Sequence, residues 1–145
     1  MKYGFTGSQR GMTKLQANNL GYQFIYGPRV DELHHGDCIG ADAMAHNVGL
    51  VLATRVVIHP PTDSKKRAFC TGHSVIILQP FPYLDRNKHI VDGTDRLIAT
   101  PMDMEMQLRS GTWSTVRYAF KVGKPVLVIL PDGTIWSKST LELGK

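Results

Sequence analysis

Apolar residues along this chain alternate between short β-branched runs and longer segments in which they recur at helical spacing. The short runs predict strands at residues 2–6, 32–35, 55–59, 74–79, 96–100 and 126–130. The helical spacing predicts helices after Thr13 and over residues 41–52, 86–92 and 112–122. Strands that alternate with helices and are apolar on both faces predict a mostly parallel sheet covered on two sides. We therefore expect an α/β, Rossmann-like, doubly wound fold.

The pattern also predicts the domain organisation. At 145 residues, and with no internal repeat, linker or low-complexity segment, the chain is expected to form a single domain over residues 1–145. Residues 62–74 are polar and irregular, which predicts a mobile surface loop. The tail, residues 134–145, is too mixed to assign.

Composition narrows the class of protein. Hydrophobic residues at 42% and charged residues at 20% are typical of a soluble globular protein. No apolar run approaches the roughly 18 residues that cross a bilayer, so no membrane partner is expected. The two cysteines, Cys38 and Cys70, lack metal-ligand spacing, and without a secretion signal they predict reduced thiols and a cytoplasmic location. His34, His35 and His46 lack a matching ligand set, so no metal site is predicted.

The charge of the chain leaves two interpretations open. The net charge is +5, but the basic residues are scattered and form one short run, Lys65-Lys66-Arg67. This pattern fits a soluble surface with a basic loop, and it also fits a face that binds nucleic acid.

Clusters of glycine and hydroxyl residues follow three of the predicted strands, and ligands of doubly wound sheets bind at that edge. In the first cluster Gly7 allows close backbone approach, Ser8 can donate and Arg10 can pair with an oxyanion. These residues could cradle a phosphate, or form only a tight turn with an exposed arginine.

The second cluster contains Gly36, Asp37, Gly40 and Asp42. Asp37 is suited to accept hydrogen bonds from a ribose. Asp42 could serve a ligand or only favour the first turn of its helix. The two carboxylates could hold magnesium, but nothing else in the sequence indicates a metal.

Two further segments complete the predicted site. Arg86 and Asn87 begin a predicted helix, where Arg86 could reach phosphate and Asn87 a base or ribose edge. The last cluster supplies backbone and hydroxyl donors at a helix start, which suits an anion: Ser110, Gly111, Thr112, Ser114 and Thr115. The same cluster could be a helix cap that binds nothing. Trp113 could stack on a base or cover the sheet edge.

Taken together, these motifs resemble the SLOG superfamily, and most closely the DprA/Smf-type DNA-processing proteins and the small YspA-like Rossmann proteins. The resemblance extends over roughly residues 4–131. The matching pieces are Gly7-Ser8-Gln9-Arg10, Gly36…Gly40-Ala41-Asp42…Ala45-His46, Phe81-Pro82…Arg86-Asn87…Ile90 and Ser110-Gly111-Thr112…Thr115…Tyr118-Ala119…Gly123-Lys124-Pro125-Val126.

The resemblance implies a Rossmann-like domain that binds a nucleotide, a nucleotide-derived ligand or single-stranded DNA, and that assembles into homo-oligomers. It implies no reaction. The hydrolytic LOG branch carries PGGxGTxxE, and Thr115 stands where that motif has its catalytic glutamate, although Arg86 matches another functional residue of the family. Asp103 or Glu105 could replace the glutamate only if their loop folds back over the pocket. The additional domains of DprA have no counterpart, so a full recombination mediator is not expected.

Three functions therefore stand as expectations. The first is a sensor or sequestering module that binds a nucleotide or nucleotide-derived ligand, with no cofactor assigned beyond that ligand. The second is a nucleotide-processing hydrolase, N-glycosidic or phosphoester, that uses Asp37, Asp42, Asp103 or Glu105. The third is single-stranded DNA binding through the basic loop, Tyr83 and Trp113.

Overall fold

The computed structural model describes residues 1–138. Its sheet contains β1 (Lys2–Gly7), β2 (Glu32–His35), β3 (Arg55–Ile58), β4 (Val75–Ile77), β5 (Arg96–Thr100), β6 (Val126–Ile129) and β7 (Ile135–Lys138). The helices are α1 (Lys14–Tyr26), α2 (Ala41–Leu52), α3 (Tyr83–Asp92) and α4 (Gly111–Val122), and a short 3-10 turn spans Ser64–Lys66.

The strands lie in the order β4-β3-β2-β1-β5-β6-β7. Every neighbouring pair is parallel except β6 and β7, which are antiparallel. The predicted mostly parallel α/β sheet of Rossmann-like type is confirmed. Because β1 pairs with β2 on one side and β5 on the other, the strand order reverses beside β1.

Both faces of the central strands are buried. Ile98 on β5 packs with residues of α1 and α2, whereas its neighbours Leu97 and Ala99 pack with residues of α4. Successive side chains of a strand point to opposite faces. Hence α1 and α2 cover one face and α4, with α3 beside it, covers the other. This explains why the central strands are continuous apolar runs.

Local capping determines where the helices begin. At α1, the Thr13 hydroxyl accepts from the Gln16 backbone N–H at 3.1 Å, while the Gln16 side chain accepts from Thr13 N–H at 2.9 Å. At α4, the Ser110 hydroxyl accepts from Trp113 N–H at 3.2 Å, and the helix ends at Gly123 with φ 84°. The reciprocal bonds at α1 and the single bond at α4 satisfy backbone donors that the helices themselves leave unpaired.

The structure differs from the sequence prediction at three elements. Helix α3 begins at Tyr83 rather than residue 86, because Pro82 takes the N-cap position without a side-chain hydrogen bond that the sequence could reveal. Strand β4 is shorter than predicted and lies at the sheet edge. Residues 135–138 of the unassigned tail form β7, and residues 139–145 lie outside the described part.

The segment over residues 62–74, predicted as a mobile loop, is anchored to the end of β2. Ile39 N–H donates to the Lys66 carbonyl at 2.9 Å, and Ala68 N–H donates to the Asp37 carbonyl at 2.7 Å. These long-range bonds could not be seen in the local sequence. Within residues 1–138, no helix has the length and apolar character needed to cross a membrane.

Candidate ligand-binding site

A cavity of about 590 Å³ opens at the carboxyl ends of β1, β2 and β5. This is the edge at which the strand order reverses and at which doubly wound sheets bind their ligands. Ten of the fourteen predicted site residues line it: Gly7, Ser8, Arg10, Gly36, Asp42, Arg86, Asn87, Ser110, Gly111 and Thr112. The other four lie outside its lining: Asp37, Gly40, Ser114 and Thr115.

The turn after β1 forms one wall. The Ser8 hydroxyl accepts from Arg10 N–H at 3.0 Å, and the Ser8 carbonyl accepts from Gly11 N–H at 3.0 Å. This folded turn leaves the Arg10 side chain exposed at the cavity, with no ion pair to any residue among 1–138. A Cβ on Gly7 would lie 2.4 Å from the Thr100 hydroxyl, so glycine is required for the close approach of β1 and β5.

The start of α4 forms a second wall. Within the described chain, the N–H groups of Gly111 and Thr112 have no hydrogen-bond acceptor. A Cβ built on Gly111 would meet nothing within 4 Å, so this end of the helix faces open space. The Thr115 hydroxyl instead donates to the Gly111 carbonyl at 2.9 Å, so its proton is engaged in a hydrogen bond within the helix. The free amides and the positive end of the helix dipole suit an anion.

The carboxylate of Asp37 is held by hydrogen bonds within the protein and does not line the cavity. Its Oδ2 accepts from Arg67 Nε at 2.7 Å, and its Oδ1 accepts from Cys70 N–H at 2.9 Å. Burial would raise the pKa of this carboxyl, but the hydrogen bonds from Arg67 and Cys70 outweigh it and lower the pKa. The predicted contact with a ribose is replaced by an internal anchor, because both oxygens are occupied and the side chain is fully buried.

Asp42 presents one oxygen to the cavity. Its Oδ2 accepts from the N–H groups of Gly36 at 3.1 Å and Cys38 at 3.2 Å. Its Oδ1 accepts no hydrogen bond from residues 1–138 and is not among the fully buried unpaired atoms, so it opens onto the cavity. Burial raises the pKa of this carboxyl to about 6, although the positive charge of Arg86 acts in the opposite direction.

Arg86 is a buried cation, with 4% of its surface exposed. Its Nη1 donates to the carbonyls of Gly36 and His59, its Nε donates to Asn87 Oδ1 at 2.8 Å, and its Nη2 lies 3.6 Å from Cys38 Sγ. No carboxylate within residues 1–138 lies within 4.0 Å of the guanidinium. A buried charge normally has a partner of opposite sign.

Part of the cavity wall comes from residues outside the predicted site set. Lys65 and Lys66 on the 3-10 turn line it, as do Tyr83 at the start of α3 and Asp103 after β5. The sequence predicts the lysine pair only as part of a basic loop, because its position beside the cavity depends on the anchor at Asp37. Asp103 thus lines the cavity, whereas Glu105 does not. Trp113, considered for base stacking, is buried in the core beneath α4.

A cluster of His35, His46 and Cys70 has the composition of a metal site, with ligand atoms within 4.8 Å of one another. Its hydrogen bonds argue otherwise. Asp37 N–H donates to His35 Nδ1 at 2.9 Å, so the proton of a neutral His35 lies on Nε2, which is 2.8 Å from His46 Nδ1. His46 Nε2 is then protonated and donates to the Thr71 carbonyl at 2.8 Å. In this tautomer His35 Nε2 has no lone pair for a metal.

No protein-family model and no curated protein matches the chain. The fold and the cavity define the class of protein: a doubly wound α/β domain with charged side chains around a cavity at its topological switch point. The cavity combines four cationic side chains with three carboxyl groups: Arg10, Lys65, Lys66 and Arg86, against Asp42, Asp63 and Asp103.

Proposed function

We propose that this protein binds a nucleotide or nucleotide-derived ligand at the carboxyl ends of β1 and β5, as a sensor or sequestering module. The observation that carries the proposal is the buried guanidinium of Arg86, which borders the cavity without a carboxylate partner. Asp42 acts on this charge only from beyond 4.0 Å, so an anionic ligand would supply a directly bonded countercharge in a partly desolvated site, where charge pairing is strongest.

The groups around the cavity match the parts of a nucleotide. The N–H groups of Gly111 and Thr112 would receive a phosphate, with the exposed Arg10 beside it. Asp42 Oδ1 would accept from a ribose hydroxyl, because its other oxygen is already occupied. Lys65 would neutralise further negative charge at the mouth.

The size of the cavity is also suitable. A volume of about 590 Å³ lies within the range of small-molecule sites, roughly 300–1,000 Å³. Apolar and aromatic side chains for a base come from Tyr83, Leu84 and Met102. The resemblance of the motifs to SLOG proteins supports the same ligand class.

Calorimetric titration tests this proposal with mono- and dinucleotides, NAD derivatives, cyclic nucleotides and inorganic phosphate. We expect one nucleotide class to bind and Arg10→Ala to weaken it about tenfold or more, since a charge-assisted hydrogen bond contributes about 1.5–3 kcal/mol. Arg29→Ala is the matched control, because Arg29 is exposed and precedes β2 at the amino ends of the strands, opposite the cavity. A folded protein that binds none of these ligands would contradict the proposal.

Asp42 supports a second candidate, hydrolysis of the N-glycosidic or phosphoester bond of the same nucleotide. A carboxyl with a pKa of about 6 and one oxygen open to the cavity can exchange a proton near neutral pH. It would take the proton of an attacking water. Chromatography of nucleotides incubated with the protein should then reveal products that Asp42→Asn abolishes. Tight binding without any product would exclude hydrolysis and leave the binding function intact.

A further inference from the structure

Strand β4 forms an open edge of the sheet. It pairs with β3 on one side only, and no other element of residues 1–138 pairs with its second side. Ile76 is 42% exposed and Ile77 is 52% exposed, although the two side chains point to opposite faces of the sheet. The main chain and both faces of β4 are therefore accessible.

The hydrogen bonds to β3 show which backbone groups point outward. The Ser74 carbonyl accepts from Val56 N–H at 3.0 Å, and Leu78 N–H donates to the Ile58 carbonyl at 2.9 Å. Residues 74, 76 and 78 therefore turn their main-chain groups toward β3. Because successive residues alternate in direction, Val75 and Ile77 direct their N–H and carbonyl groups at the open edge.

This edge has a short strand of three residues followed by Pro80, but it lacks the charged side chains that keep many natural sheet edges from pairing. Proteins protect exposed edges with charged side chains, bulges or a covering helix or loop. Residues 68–84 contain no aspartate, glutamate, lysine or arginine, although the chain as a whole has a net charge of +5. Two copies can approach each other at this uncharged stretch without opposing like charges.

We propose that two copies of this chain pair antiparallel through β4 and join their sheets into one continuous sheet. A two-fold axis at Ile76 places the outward groups of Val75 opposite those of Ile77 in the second copy. Each residue of that pair then donates one hydrogen bond and accepts another, as in the closely bonded pairs of an antiparallel ladder.

The side chains fit the same arrangement. Opposed residues lie on the same face, so Val75 meets Ile77 of the second copy and Ile76 meets its own equivalent. Leu50 of α2 is 40% exposed and lies against Gly72 just before β4, and Leu78 directly after β4 is also 40% exposed. These apolar residues flank the edge and would extend the contact beyond the paired strands.

Sedimentation velocity of the full chain from low to high micromolar concentration tests the proposal. We expect a dimer that Ile77→Pro weakens about a hundredfold, because proline removes an outward N–H and leaves the opposite carbonyl unpaired. Ile77→Ala keeps that N–H and is the matched control, with a much smaller effect. Since the N–H of Ile77 does not pair with β3, proline is compatible with the fold at this edge.

A charge-swap pair tests the register independently. Ile76→Glu and Ile76→Lys should each weaken the dimer about tenfold or more, because the two-fold axis places each charge opposite itself. An equal mixture of the two variants should recover the dimer. A monomeric wild-type chain, a dimer unaffected by Ile77→Pro, or a mixture that stays monomeric would each overturn the proposal. Circular dichroism melts of every variant verify the fold.

Discussion

Replacing Gly111 with aspartate separates helix stability from ligand binding at the proposed site. Gly111 is the first residue of α4, it is exposed, and a Cβ there meets nothing within 4 Å. The new side chain can therefore be accommodated without displacing a neighbour. It puts a negative charge at the point where we expect the phosphate of a nucleotide to bind.

The two effects have opposite signs. A carboxylate in the first turn interacts favourably with the helix dipole by about 0.3–1 kcal/mol, and loss of a helical glycine adds roughly 0.5–1 kcal/mol. The free energy of unfolding should therefore rise slightly. Two like charges about 5 Å apart repel by roughly 3 kcal/mol at an effective dielectric constant near 20, which weakens phosphate binding about a hundredfold.

The assay is titration calorimetry with adenosine monophosphate and inorganic phosphate, beside urea unfolding of each variant. Gly111→Ala is the neutral control at the same position and should bind as the wild type does. Gly21→Asp adds the same charge to α1, where a Cβ also meets nothing within 4 Å, and should leave binding unchanged. Equal affinity of Gly111→Asp and Gly111→Ala for a ligand that binds the wild type would refute a phosphate site at α4.

Three further outcomes test the packing and electrostatics. Burial lowers the pKa of both His35 and His59 to about 3, so the folded state loses stability as the pH falls from about 6.5 toward 3. Protonation of Asp42, with its pKa of about 6, offsets one of the two, whereas burial also lowers the pKa of His34 and adds to the loss. The free energy of unfolding from urea titrations should therefore fall by at least about 1.4 kcal/mol per pH unit between pH 6 and 4. A constant midpoint over this range would contradict the buried neutral imidazoles. Gly40→Ala should destabilise by several kcal/mol in the same assay, because φ is 88° and the added Cβ would lie 2.2 Å from a backbone oxygen of the turn after β1, and a wild-type midpoint would refute that contact. Burial raises the pKa of Cys70 to about 12, so alkylation at pH 8 should be slow when folded and fast in urea; equal rates would show an accessible thiolate.

How far the sequence predicts each element depends on whether its signal is local. The caps of α1 and α4 were predictable from Thr13 and Ser110, because a capping side chain acts on residues two or three positions away. The start of α3 at Tyr83 was not, since Pro82 offers no side-chain bond. Strand β7 was missed because it is a partly exposed antiparallel strand, and its pairing partner β6 alone defines it.

The same distinction applies to the candidate site. Small and polar residues directly after parallel strands predicted that these residues meet at one edge of the sheet, and most of them line one cavity there. The role of each charged group was harder to predict. Asp37 is occupied by Arg67, which lies thirty residues further along the chain, and that contact also brings Lys65 to the cavity.

By itself, the sequence determined the alternation of strands and helices and the edge at which the polar turns meet. Side-chain periodicity, helix caps and strand direction are properties of neighbouring residues, so they can be read without coordinates. Only the tertiary structure decided that Asp37 is neutralised internally, while no carboxylate of residues 1–138 lies within 4.0 Å of the buried Arg86 guanidinium. Ion pairing acts over a few ångströms between segments far apart in the chain, and folding alone brings those segments together.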